Sequence, residues 1–228
     1  MILIINNNCR ERYSGTTLKI YHIITNLCKS QKCMLINTNN EMNSIISDVS
    51  KRRMIKGIIL TGSQMRLPHK NYVDRIFHNF LPMLELDVPV LAICFGFQLL
   101  CSMYQSNIYS FKSMLKGHKK IKIKRDKLFR GFSGDKTVYV LHNDYTYEEP
   151  LLFKTLARDN KGVIYAMKHK YKDVYGVQFH PEFSNYGNSD GVKIFKNFLD
   201  ICRVRHRDLG YDDIPEVKHG NCDKMIEK

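Results

Sequence analysis

The stretch Val88-Pro89-Val90-Leu91-Ala92-Ile93-Cys94-Phe95-Gly96-Phe97-Gln98-Leu99-Leu100 constrains the fold more than any other part of the chain. An apolar, β-branched run stops at one cysteine, a glycine follows two places on, and a run with helical spacing begins. A buried strand, a sharp turn and a helix satisfy that order, and a side chain delivered to such a turn sits on a nucleophile elbow. Gly96 lets the backbone pack closely behind the turn. The helix directs its unpaired N–H groups and positive dipole end at the sulfur, which favours thiolate. A buried structural cysteine is the competing reading, because free cysteine is among the most buried residue types. Cys94 therefore needs partners elsewhere in the chain.

The surrounding rhythm says what the elbow is built into. Short apolar strands are predicted at Ile2–Ile5, Cys33–Asn37, Gly57–Thr61 and Val88–Ile93, with helices near Thr16–Cys28, Glu41–Arg53 and Asn71–Leu86 between them. This alternation argues for an α/β fold with a mainly parallel sheet and helices on both faces. From Lys119 onward strands come closer together, at Lys119–Arg125, Thr137–Leu141, Leu152–Arg158, Val163–Lys168 and Val174–Gln178, as an antiparallel extension of the sheet requires. A last amphipathic helix is predicted from about Ser189 to Ile201, burying Val192, Phe195, Phe198 and Leu199. Residues 1–202 thus read as one domain, and 203–228 as a polar tail with few apolar anchors.

Composition excludes several classes. No apolar run approaches the roughly 18–20 residues a membrane helix needs, and Met1–Ile5 runs straight into three asparagines, too short for a secretory signal. The seven cysteines, Cys9, Cys28, Cys33, Cys94, Cys101, Cys202 and Cys222, show no CxxC pair and no His/Cys ligand spacing. A cytoplasmic chain of reduced thiols with no metal and no cofactor is the expectation. The net charge of +14 is concentrated between Lys112 and Arg130, where Ile121 and Ile123 alternate with Lys120, Lys122 and Lys124. That period of two predicts a strand with one buried and one basic face, and lysines there also guard a sheet edge. No RNA- or DNA-binding motif accompanies the charge, so nucleic acid is not an expected partner.

A cysteine nucleophile needs a base, and the base an orienting group. Gly176-Val177-Gln178-Phe179-His180-Pro181-Glu182 ends an apolar strand at Phe179, with His180 and Glu182 two apart on one side of an extended segment, so that the carboxylate can hold the imidazole. Ile58-Ile59-Leu60-Thr61-Gly62-Ser63-Gln64 is another apolar strand ending in small residues, whose N–H groups can face a developing oxyanion. In a parallel sheet all three pieces lie at carboxyl ends of strands, where open α/β sheets carry their sites.

Together these pieces resemble the class I (triad) glutamine amidotransferases. That family carries a G-x-C-x-G-x-Q elbow, a G-V-Q-F-H-P-E segment and a Gly-rich turn after the third strand. Cys94-Phe95-Gly96-Phe97-Gln98 is similar to the first, Gly176 through Glu182 matches the second at every position, and Thr61-Gly62-Ser63 stands at the third. Leu128-Phe129-Arg130-Gly131-Phe132 and Val138-Tyr139-Val140-Leu141-His142-Asn143-Asp144 resemble the L-F-x-G-L and W-x-S-H-x-D stretches of the GMP-synthase-like branch. The resemblance covers roughly residues 1–202 and implies a flavodoxin-like three-layer sandwich.

It also implies a chemistry. Cys94 would attack the side-chain amide of glutamine, His180 would pass a proton to the leaving ammonia, and Glu182 would orient His180. Phe95, Gly62 and Ser63 would hold the oxyanion through backbone N–H groups, Gln98 the glutamine head group, and Leu141 and His142 stand where the family recognises substrate. Water would then release glutamate from a thioester. The family further implies a synthase that accepts the ammonia, for which this chain has no room. Ala92 replaces the glycine two before the cysteine, Phe97 a histidine, Ser63 the second glycine of the oxyanion turn, and Leu141 a serine. Two alternatives stand beside glutamine hydrolysis: a hydrolase of related γ-glutamyl compounds using the same triad, and a degenerate, non-catalytic fold that binds a partner.

Overall fold

Ile2, Leu3, Ile4 and Ile5 are all fully buried, as are Ile58, Ile59 and Leu60 and the run Val90–Ile93. A strand whose every side chain avoids water must be covered on both faces, and these strands are. The chain is described by a computed structural model over residues 1–8, 13–38, 40–67, 80, 83–183 and 190–209, the side chains of 40–43 excepted. The strands are β1 (Ile2–Asn6), β2 (Cys33–Asn37), β3 (Gly57–Leu60), β4 (Val90–Ile93), β5 (Tyr109–Ile123), β6 (Asp135–Tyr145), β7 (Phe153–Arg158), β8 (Ile164–His169) and β9 (Val174–Val177). The helices are α1 (Gly15–Leu27), α2 (Asn40–Ser47), α3 (Val49–Met54), α4 (Phe95–Met103) and α5 (Asp190–Ile201), with a 3₁₀ turn at Pro181–Phe183.

All nine strands join one mixed sheet in the order β2-β1-β3-β4-β9-β8-β7-β5-β6. The β2-β1-β3-β4-β9 half is parallel throughout. From β9 outward every pairing is antiparallel. Strand pleating splits the core in two. Ile2, Ile4, Ile59, Leu91 and Ile93 pack with Ile20, Ile23, Ile24 and Leu27 of α1 and Phe195, Phe198 and Leu199 of α5. Leu3, Ile5, Ile58, Leu60, Val90 and Ala92 face the other way, onto Ile45 and Ile46 of α2 and Leu99, Leu100 and Cys101 of α4.

Three sequence expectations change. The helix expected over Glu41–Arg53 is two, because Asp48 adopts an extended conformation and its carboxylate caps the N–H groups of Ser50 and Lys51. β5 begins at Tyr109, ten residues before the expected Lys119, and pairs with β6 from Tyr109↔Tyr145 to Lys122↔Asp135 across a bulge between Ser110 and Leu115. The alternation that marks Lys119–Arg125 as a strand is interrupted at that bulge, where Lys112, Ser113 and Met114 are all exposed in succession. The segment after His180 is a 3₁₀ turn, not an extended one, because the fixed φ of Pro181 suits the first position of a helical turn. The helix expected near Asn71–Leu86 lies outside the described residues, apart from Phe80 and residues 83–86.

Past Cys202, Val204 is buried, His206 bridges to Cys28, and the N–H of Arg207 donates to the carbonyl of Leu27 at 2.7 Å. No helix among the described residues is long and apolar enough to cross a membrane.

Candidate active site

β4 ends at Ile93, and Cys94 takes φ 51° and ψ −102° before α4 starts at Phe95. A non-glycine residue held there costs on the order of 1–3 kcal/mol, which its surroundings must supply. They do so from both sides: the Cys94 N–H donates to the carbonyl of Val177 at 2.8 Å, and the Cys94 carbonyl accepts the first bond of α4 from Gln98 at 3.0 Å. Gly96 has no room for a side chain, since a Cβ would lie 2.9 Å from Leu60 Cβ and 3.0 Å from the Leu60 carbonyl oxygen. The close packing of α4 on β3 therefore requires glycine, and it seats the sulfur above the sheet.

Next to β4, β9 delivers Gln178, Phe179 and His180. The N–H of His180 donates to the Tyr139 carbonyl of β6 at 2.9 Å. Its Nδ1 lies 2.6 Å from Glu182 Oε1, and the carboxylate is completely buried. A bond this short between buried partners is charge-assisted. Burial opposes the imidazolium, but the Glu182 carboxylate and the Cys94 sulfur outweigh it and hold the His180 pKa well above its ordinary value. His180 Nε2 and Glu182 Oε2 are buried without a hydrogen-bond partner.

Gly62, just beyond β3, completes the floor. A Cβ there would lie 3.2 Å from His180 Cε1, 3.4 Å from Cys94 Cβ and 3.9 Å from the sulfur. Cys94, His180 and Gly62 thus surround one small volume. Neither Gly62 nor Ser63 adopts a left-handed conformation, so Ser63 fits the turn without that strain. Its hydroxyl donates to Asn8 Oδ1 at 3.2 Å and accepts from the N–H of Met65 at 3.1 Å. Phe95 is the first residue of α4, so its N–H has no intrahelical acceptor.

The sulfur touches two further groups, and no motif announces either contact. The Leu141 carbonyl of β6 lies 3.7 Å from it, and the Gln178 side-chain nitrogen 3.8 Å. Leu141 thus reaches Cys94 through its main chain. Gln98 donates to the Asp144 carbonyl at 2.9 Å and to Gln178 Oε1 at 3.3 Å, so both of its N–H bonds are committed inside the protein. His142 points Nδ1 at the Asp144 carbonyl, 3.0 Å away, and its ring centroid lies 6.0 Å from those of Phe111 and Tyr165. Burial pushes its pKa down to about 4. A carbonyl only accepts, so Nδ1 carries the proton of the neutral ring.

The loop after Ser63 is tied to β6 by Arg66, whose guanidinium bonds Asp144 at 2.8 Å and Ser110 Oγ at 2.8 Å. The Asp144 carboxylate is almost wholly buried and also accepts from Ser110 at 2.7 Å. Neither Arg66 nor Ser110 falls in a motif, and only their distance from each other in sequence hid the pairing. Among the described residues, no group of His, Cys, Asp and Glu has the arrangement of a metal site.

Known proteins are similar to this chain in sequence and in fold. The family profile for glutamine amidotransferase class-I matches residues 16–202. A glutamine-hydrolyzing GMP synthase subunit of Methanococcus aeolicus is 35% identical over 158 residues, covering 69% of this chain and 79% of that protein. The subunit of the same name in Methanothermobacter thermautotrophicus is 31% identical over 205 residues, covering 89% and 98%. The crystal structure of a candidate GMP synthase subunit from Thermoplasma acidophilum superposes with a TM-score of 0.71 at 20% identity, covering 89% of this chain and 93% of that one, which supports the α/β fold. The chain belongs to the class I glutamine amidotransferases and is related, within them, to GMP synthase.

Proposed function

We propose that this chain hydrolyses glutamine to glutamate and ammonia with Cys94 as nucleophile, His180 as proton carrier and Glu182 as the group that orients His180. The observation that carries the reading is the buried 2.6 Å contact between His180 and Glu182 beside a cysteine on a strained elbow. In the thiolate–imidazolium form, the sulfur attacks the side-chain amide carbon, and the carbonyl electrons move onto oxygen. The N–H groups of Phe95 and the Gly62-Ser63 turn stabilise that charge. The C–N bond breaks as His180 gives its proton to the leaving ammonia. Water then adds to the thioester while His180 takes its proton, glutamate leaves, and the thiolate returns.

The relatives are named as separate subunits of GMP synthase, which supports a second proposal: ammonia passes to a synthase on another polypeptide. The order β2-β1-β3-β4-β9 supports a flavodoxin-like sandwich. We read residues 1–202 as the amidotransferase domain, the remainder as a tail, and the setting as cytoplasmic, with no cofactor. Gln98 keeps only its carbonyl oxygen for the substrate head group, and Leu141 contributes its main chain. The substitutions at Ser63 and Leu141 favour testing γ-glutamyl compounds as a second substrate class.

The test is glutamate release from glutamine by the full chain and by Cys94→Ala, alone and with the synthetase component of a GMP synthase present. Release that Cys94→Ala lowers by at least about 10³-fold supports the proposal. Turnover of γ-glutamyl peptides alone supports the second class. A Cys94 inert to glutamine, to γ-glutamyl peptides and to a glutamine-analogue electrophile under both conditions overturns both and leaves a partner-binding fold.

A further inference from the structure

We propose that Gln178 stabilises the anionic form of the Cys94 sulfur by donating an amide N–H to it, and that Gln98 is the positioning residue that fixes the direction of that amide. The inference rests on reading Cys94 as the nucleophile and adds a group to which that reading gives no task.

The two ends of a glutamine amide differ only in which atom is the donor, so its direction must follow from its partners. Here the partners decide it in sequence. The Asp144 main-chain carbonyl can only accept, so the Gln98 atom 2.9 Å from it is the nitrogen. That same nitrogen lies 3.3 Å from the Gln178 amide, so the Gln178 atom facing it is the oxygen. The other end of Gln178, 3.8 Å from Cys94 Sγ, is then the donor. Gln178 is fully buried just past the end of β9. A reversed amide would set two donors against each other at Gln98.

The sulfur's other neighbour argues the opposite way. The Leu141 carbonyl 3.7 Å away accepts a hydrogen from a thiol and repels a thiolate. Of these two contacts, the Gln178 amide favours the reactive state, and the relay from Asp144 through Gln98 holds it in place. A neutral donor in a dry site stabilises an anion more than it would in water.

The test is alkylation of Cys94 by iodoacetamide in the full chain, without glutamine, from about pH 5 to 9, with the Cys94 peptide followed by mass spectrometry so that other cysteines do not interfere. Gln178→Met keeps the length and removes the donor. It is expected to move the pH midpoint of alkylation upward and to slow alkylation at pH 7 by about fivefold. Gln98→Leu, which frees the Gln178 amide to turn, is expected to shift the midpoint in the same direction by less. The double variant is expected to match Gln178→Met, because the two residues act through one donor. A wild-type midpoint in a folded Gln178→Met, judged by circular dichroism and thermal unfolding, overturns the proposal, and additive shifts overturn the role of Gln98. If Gln178→Met does not fold, an unchanged midpoint in Gln98→Leu overturns it. Alkylation needs no turnover, so a chain that fails to hydrolyse glutamine still answers this question.

Discussion

The two halves of the sheet contribute to the site in different ways. The parallel half brings side chains and a strained turn: Cys94 after β4, Gly62 after β3, and His180 and Glu182 after β9. The antiparallel half brings main-chain carbonyls: Tyr139 on the His180 N–H, Leu141 on the sulfur and Asp144 on Gln98. One half supplies the groups proposed to react, and the other contributes carbonyls that help set where they stand. Cys94 and His180 are only 4% and 5% exposed, and the β6 carbonyls of Leu141 and Tyr139 lie against them. A site divided this way responds to replacement of residues in one half and to disturbance of the backbone in the other.

Substitutions in the parallel half test the first part of that contrast. Glu182→Ala is expected to lower glutamine turnover by about 10²-fold, less than Cys94→Ala, because an orienting group is partly replaceable. A loss equal to that of Cys94→Ala would assign Glu182 more than orientation. Gly62→Ala is expected to cost about tenfold in kcat, since its methyl group would displace His180 and Cys94 by a few tenths of an ångström. Unchanged kcat would mean that the floor yields without moving either group.

In the antiparallel half, Arg66→Ala removes the tie between the loop after β3 and β6 and leaves Asp144 with Ser110. Arg66 is 41% exposed, so the loss of stability is expected to be about 1 kcal/mol, read by denaturant unfolding. KM for glutamine should move more than kcat, because Arg66 holds Asp144, whose carbonyl fixes Gln98 rather than the proposed triad. The reverse split would place Arg66 in the chemistry.

The two buried histidines sharpen the comparison through pH. His180, raised by Glu182 and Cys94, contributes stability that is present below pH 6.5 and is lost as pH rises through its folded pKa. His142, held neutral by burial down to about pH 4, does the opposite: its contribution is present above pH 6.5 and is lost as pH falls from 6.5 toward 4. That loss is about 3 kcal/mol at most. Replacing His142 with Asn should flatten the acid side of the unfolding profile and leave the alkaline side unchanged. An unaltered acid limb would show that His142 does not titrate with folding.

Much of the parallel half was legible in the sequence because its signals are local. An apolar run ending at Cys94, and another ending at Gln178-Phe179-His180, each announce a strand and what it delivers. Gly96 was readable for the same reason, as the only residue that fits against Leu60. In the antiparallel half the expected strands at Thr137–Leu141, Leu152–Arg158 and Val163–Lys168 overlap β6, β7 and β8, but β5 was legible only from Lys119 onward. The bulge between Ser110 and Leu115 interrupts the period, so the short alternation of Tyr109–Lys112 does not run on continuously into the strand expected from Lys119. The contacts of Leu141 and Tyr139 leave no trace in residue identity, since any residue offers a carbonyl. Gln178 stood in a matched motif with no task, because its direction depends on Asp144 and Gln98, far away in sequence.

The spacing of the β6 carbonyls has a consequence for how this protein can change over evolutionary time. Tyr139 and Leu141 are two residues apart, so their carbonyls leave the same edge of the strand, while Val140 between them is registered with Gly117 of β5. Many side-chain exchanges at residues 139 and 141 leave that edge intact. Deleting a single residue from the strand swaps the two edges and turns the carbonyls away from the cysteine. Residues 139 and 141 should therefore drift freely in composition, and the strand hardly at all in length.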